Sequence, residues 1–116
     1  MRNKYNAQRC YSDLCCREFS SKLERERGEQ LKCMEMAGEI EYLIYQYEVV
    51  LCDIPKHRVK VVIDFAYFDK EHGLVFEDAK GMLAQHSRVK YAWLYKEHKI
   101  EVKLYKKGDT MHIPPK

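Results

Sequence analysis

The stretch Val59-Lys60-Val61-Val62-Ile63-Asp64-Phe65-Ala66-Tyr67-Phe68, then Asp69-Lys70-Glu71-His72-Gly73, then Leu74-Val75-Phe76-Glu77-Asp78-Ala79-Lys80, decides how this chain is read. In the first part the odd positions from Val59 to Tyr67 are all large and apolar, the period of a strand with one face in the core. Asp64 then points to the opposite face. The middle part is a turn signal, and Leu74 to Lys80 reads as a second strand that Gly81 breaks. A hairpin symmetric about Glu71 gives every facing pair the same sum of residue numbers, so Phe68 faces Leu74 and Asp64 faces Asp78. Directly opposed side chains have Cβ atoms roughly 4.5 to 5.5 Å apart, where like charges destabilise. A Mg²⁺ ion offsets that repulsion, since it favours carboxylate and water oxygens and leaves room for a phosphate. Lys80, two residues beyond Asp78, emerges on the same face, where its ammonium can orient a water and stabilise developing phosphate charge. Such a group suits phosphodiester hydrolysis. The reading depends on register, because a one-residue slip or a bulge near His72-Gly73 changes which side chains meet.

Working outward, Ser20 and Ser21 introduce a charged segment that runs to Ala37-Gly38 and predicts a helix. Leu23, Leu31 and Met34 supply its apolar stripe, Ser21-x-x-Glu24 forms a capping box, and Gly38 suits its end. Residues 9 to 19 predict a short hairpin turning near Ser12-Asp13. From Tyr42 to Cys52 the β-branched and aromatic residues read as a strand, closed by a turn at Asp53-Ile54-Pro55-Lys56. Gln85 to Glu97 places Val89, Trp93 and Leu94 at helical spacing, and Ile100 to Leu104 alternates as a final strand. The expected architecture is α/β: helix, three strands, helix, strand around a mixed sheet, with an N-terminal hairpin in front. Residues 1–8 and 107–116 read as loose tails of a single domain spanning 1–116.

The 116 residues suffice for one core, and 46% hydrophobic with 34% charged residues fits a globular domain rather than a disordered chain. A net charge of +3 permits a polyanionic partner without establishing one. Acids crowd the first helix, whereas basic residues gather at the start, in the second half and near the end. No run approaches the ~18 apolar residues of a membrane span and no apolar signal core opens the chain, so an intracellular protein is expected. Cys10, Cys15, Cys16, Cys33 and Cys52 lack C-x-x-C spacing and read as free thiols. His57, His72, His86, His98 and His112 fall in different elements and show no ligand spacing.

Val62-Ile63-Asp64-Phe65, followed after a hairpin by Glu77-Asp78-Ala79-Lys80-Gly81, resembles the signature of the PD-(D/E)XK nuclease superfamily, and the element order resembles its restriction-endonuclease-like core. More narrowly, Phe19-Ser20-Ser21-Lys22-Leu23-Glu24, Ala37-Gly38-Glu39-Ile40, Gln46 and Asp78-Ala79-Lys80-Gly81 resemble a small, mostly phage-borne family of endonucleases. The resemblance covers roughly residues 5 to 103, and Ile63 stands where the eponymous proline would be. It implies that Glu24 is a helix-borne catalytic acid, that Asp64 and Asp78 are metal ligands, and that Lys80 is the catalytic lysine. Glu24 also has its capping role, and Glu26 offers another acid nearby. Gln46 is an accessory candidate from the neighbouring strand, while Glu77 faces away from Asp78.

The expected function is Mg²⁺-dependent cleavage of DNA, with Mn²⁺ as a substitute, leaving a 5′ phosphate as the superfamily implies. A chain this small leaves little room for a sequence-reading domain, which favours branched DNA such as Holliday junctions and a homodimer with one site per strand. If phage-encoded, it would act in the host cytoplasm. Arg88 and Lys90, on the helix after the second aspartate, are candidates for phosphate contact. The alternatives are a non-catalytic nucleic-acid-binding module on the same fold and a protein-interaction module using the acid-rich first helix.

Overall fold

The computed structural model describes residues 9–80 and 85–106, with 85 and 86 described as backbone only. The expected loose tails and the break at Gly81 lie outside the described residues. Strands β1 (Cys10–Ser12) and β2 (Arg17–Phe19) form a small antiparallel hairpin ahead of helix α1 (Lys22–Met36). Strands β3 (Ile40–Ile54), β4 (His57–Asp69) and β5 (Gly73–Ala79) follow, then helix α2 (Gln85–His98) and strand β6 (Val102–Tyr105). The main sheet has the order β3-β4-β5-β6, antiparallel until β6, which runs parallel to β5. A parallel neighbour needs a crossover, and α2 provides it. The element order and the mixed sheet are those expected. The front hairpin turns through residues 13–16, later than Ser12-Asp13, with Cys16 taking the left-handed conformation at φ 57°.

The β4–β5 hairpin has the expected register. Phe68 pairs with Leu74 and Phe65 with Glu77, without a slip at the turn, where Gly73 adopts φ 86°. Helix α1 begins as expected at Ser21, whose hydroxyl accepts the Glu24 N–H, and Gly38 at φ 82° follows its end. Its buried face shares only Leu31 with the predicted apolar stripe. Glu24, Arg27, Gly28 and Leu31, at the i, i+3, i+4, i+7 spacing of one helix face, are buried, whereas Leu23 and Met34 are only half-buried. Arg27 can lie inside because its charge is answered. Its Nε and Nη2 donate to the two Glu77 oxygens at 2.7 and 3.0 Å, and its Nη1 donates to Gln30 at 2.9 Å. The Tyr67 hydroxyl also donates to Glu77. Gly28 lets the helix settle this close, since a Cβ there would stand 2.7 Å from Phe19 Cζ and 3.3 Å from Phe65 Cε1.

The two helices cover opposite faces of the sheet. Glu77 reaches Arg27 of α1, and the next residue, Asp78, reaches Tyr91 of α2. One core cluster joins Phe19, Leu31, Ile40, Phe65, Tyr67 and Val75; the other joins Val49, Val61, Ile63 and Leu94. Burying a side chain of this size contributes about 1.5–3 kcal/mol. The odd positions of β4 are thus inside from Val61 onward, as expected, but they do not share one face. Phe65 and Tyr67 join the α1 side, Val61 and Ile63 the α2 side. Strand β3 changes sides at the same level: Tyr45 packs on Phe19 and Phe65, Tyr47 packs on Phe76, and Gln46 between them has φ 55°. Alternation assumes a regular pleat, and a left-handed residue breaks it. Of the apolar residues predicted for α2, only Leu94 is buried; Trp93 is half-buried and Val89 exposed. Among the described residues no helix is long and apolar enough to cross a membrane.

Candidate active site

The ladder between β4 and β5 ends at Phe65 and Glu77. One step further the strands part, and side chains take over the backbone's bonds. The Asp64 N–H donates to Asp78 Oδ1 at 2.7 Å, and the Ala79 N–H donates to Asp64 Oδ2 at 2.9 Å. The two aspartates therefore come together as expected, but in the fork just past the last pair rather than within the ladder. Each carboxylate clasps the other strand, which fixes both side chains without a rotamer search.

Two further elements close around the fork. From the first turn of α1, Glu24 is buried and accepts from the Ser20 hydroxyl and from Gln46 Nε2, the latter at 2.8 Å. The same Gln46 nitrogen lies 3.5 Å from Asp64 Oδ1, so one amide links the helix-borne acid to the strand-borne one. The capping box is one-sided: Ser21 accepts the Glu24 N–H at 3.1 Å, while the Glu24 carboxylate turns to the site. Glu26, the other candidate acid, is exposed and accepts from the Tyr105 hydroxyl at 3.0 Å. From α2, the Tyr91 hydroxyl donates to Asp78 Oδ2.

Electrostatically the fork is short of positive charge. Burial pushes the Asp64 carboxyl up to about 7; the neighbouring charges of Asp78 and Glu24 add to it, and the Ala79 N–H and Lys80 pull it back. Burial and the bond to Asp78 raise the Tyr91 phenol, so it stays a donor near neutral pH. Among the described residues no three His, Cys, Asp or Glu side chains converge into a cage for an ion. Mg²⁺ does not need one, because it keeps several waters and takes one or two carboxylates. Each aspartate oxygen with a donor retains a further lone pair, so the pair fits such an ion.

Lys80 lines the same cleft as Asp78, in line with strand parity, and its N–H donates to the Tyr105 carbonyl at 3.1 Å. Lys90 lines it too; Arg88 is exposed on α2 and does not. Sequence reasoning missed Ser20 and Tyr91. Tyr91 lies three residues before Leu94, hence on the same side of α2, and that spacing was the available signal. His57, His72 and His98 are exposed, His86 and His112 fall outside the described side chains, and all five cysteines are free thiols.

Residues 2–110 match the model of a family described as Protein of unknown function (DUF1064). The chain belongs to that family. No curated protein and no solved structure gives a significant match. The DUF1064 match takes in the whole fork, from Ser20 through Tyr91.

Proposed function

We propose that this DUF1064 protein is a Mg²⁺-dependent endodeoxyribonuclease acting on branched DNA such as Holliday junctions. The observation that carries the reading is the fork itself. Asp64 and Asp78 are held together by each other's strand, with Asp64 displaced toward neutrality by burial and by the neighbouring charges of Asp78 and Glu24. Bringing like charges together in a fixed arrangement costs stability, and such displaced acids concentrate at sites of chemistry. Asp64 and Asp78 would hold Mg²⁺, or Mn²⁺ in its place, which would supply positive charge to the phosphate as it passes through its five-coordinate transition state. Lys80 orients the attacking water and stabilises charge on the non-bridging oxygens. Glu24 acts on the same water from the α1 side, and Gln46 keeps its carboxylate in line with Asp64. Tyr91 holds Asp78 in the rotamer that faces the fork. Each chain carries one such centre, so cutting both strands of a junction takes two copies, and the reading includes a homodimer.

Incubating a four-way junction, a linear duplex and a single strand with the protein, in Mg²⁺ and in EDTA, tests this. Junction cleavage that requires Mg²⁺ and is lost in Asp78→Ala is the expected result. Cleavage that survives in Asp78→Ala would sink the site assignment, and no cleavage of any substrate would leave a binding module on the same fold.

A further inference from the structure

Strand β4 outruns its partner. Its ladder with β5 covers only Phe65 to Asp69, so among the described residues, 57–64 have β3 on one edge and no strand on the other. Helix α2, which covers one face of the sheet, reaches that open edge through Lys90, whose Nζ stands 3.5 Å from the Lys60 carbonyl oxygen. Between them runs a cavity of about 650 Å³ that ends at Asp78 and Tyr91. Arg58 and Lys60 line it from the strand wall, Lys90 from the helix wall and Lys80 from the end of β5: four cations against the single carboxylate of Asp78. Glu48 on β3 pairs with Lys60 at 3.2 Å. Among the described residues no carboxylate stands within ion-pair distance of Arg58, Lys80 or Lys90.

We propose that this cleft binds one unpaired phosphodiester strand and leads it to the Asp64–Asp78 fork, an inference that rests on the nuclease reading. Cations on two facing walls embrace a single backbone, whereas a duplex needs them spread over one surface. Ahead of Asp64, whose N–H is taken by Asp78, the edge of β4 adds backbone N–H groups that no strand among the described residues pairs with, a second class of phosphate donor. Val59 and Val62 between the cations offer apolar contact to sugars and bases. From Arg58 to Asp64 the strand spans on the order of 20 Å, enough to follow several nucleotides to one side of the reacting phosphate. Junctions and flaps present such an unpaired strand where their arms part, so the cleft gives a reason for branch selectivity that reads no sequence.

Binding in EDTA isolates this claim from the chemistry. Fluorescence anisotropy with a labelled 20-nucleotide single strand and the matching blunt duplex, from 50 to 200 mM salt, gives the slope of log K against log salt for each variant. The single strand is expected to bind tighter than the blunt duplex. Arg58→Ala and Lys90→Ala should each reduce the single-strand slope by about 0.7 and the double variant by about 1.4, while Arg88→Ala leaves it unchanged. Circular dichroism checks that each variant is folded. An unchanged slope in the double variant, tighter binding of the blunt duplex, or no DNA binding overturns the proposal. Cleft-dependent binding without cleavage refutes the nuclease reading alone; cleavage with cleft-independent binding refutes the cleft alone.

Discussion

Glu77 and Asp78 are neighbours in sequence, equally buried at 2% and 3% exposure, and differ in almost everything else. On the α1 side of β5, Glu77 has a bidentate guanidinium, a phenol and no competing acid. On the α2 side, Asp78 has one phenol, one backbone N–H and a second carboxylate in its fork. The first arrangement is complete within the chain: every charge is met, and breaking it costs stability. The second sets two carboxylates side by side, and under the proposed function a bound cation would balance them. One strand thus turns a completed ion pair to one side and the candidate site to the other by the alternation of its two faces.

The contrast breaks most visibly at its active end. Asp78→Asn should lower Mg²⁺-dependent junction cleavage by at least about 10³-fold while leaving thermal stability in EDTA unchanged or higher. A parallel loss of stability would show that Asp78 belongs with Glu77. On the structural side, Arg27→Ala should destabilise by about 3–5 kcal/mol in urea titrations, because it strands Glu77 as a buried, unpaired charge. Arg27→Met with Glu77→Leu should recover most of that, and failure to recover would mean that the pair contributes more than charge balance. Gly28→Ala tests the approach that seats α1. The added methyl meets the Phe19 ring at 2.7 Å, so a cost of about 1–3 kcal/mol should outweigh the ~1 kcal/mol gain in helix propensity.

The smallest effect separates the two carboxylate sets by pH. The folded Asp64 titrates near 7 and an unfolded one near 3.9, so the folded state binds the extra proton between these values. Stability in EDTA should therefore fall as pH rises from about 4 through 7, by on the order of 1 kcal/mol after allowing for partial exposure. Asp64→Asn should lose that slope, melt higher than the wild type at pH 8 and converge with it at pH 4.5. Adding Mg²⁺ should restore the wild type selectively. A wild type that gains stability over this range relative to the variant would contradict the assigned charge deficit.

Much of this was legible from residues alone, for local reasons. The hairpin register follows from a strand period, a five-residue turn and the even spacing they impose, and it brings Asp64 and Asp78 to one place. Ser21 and Gly38 mark the ends of α1 because capping is a matter of a few adjacent dihedrals. Parity placed Lys80 on the side of Asp78 and turned Glu77 away.

The remainder depended on groups far apart in the chain. That Glu24 leaves its cap for the site is decided by Gln46, 22 residues on and held by a left-handed twist that no propensity announces. Arg27 in a helix core is intelligible only once Glu77 is opposite it, 50 residues away. Tyr91 and the cleft beyond it exist because β5 ends early and α2 returns across the gap. The opened hairpin of Asp64 and Asp78 was thus determined by the sequence, because strand pairing between neighbours is local. Its third acid, its hydrogen-bonded frame and the cleft beside it were decided by tertiary structure, because a buried charge is tolerable only where distant partners converge on it.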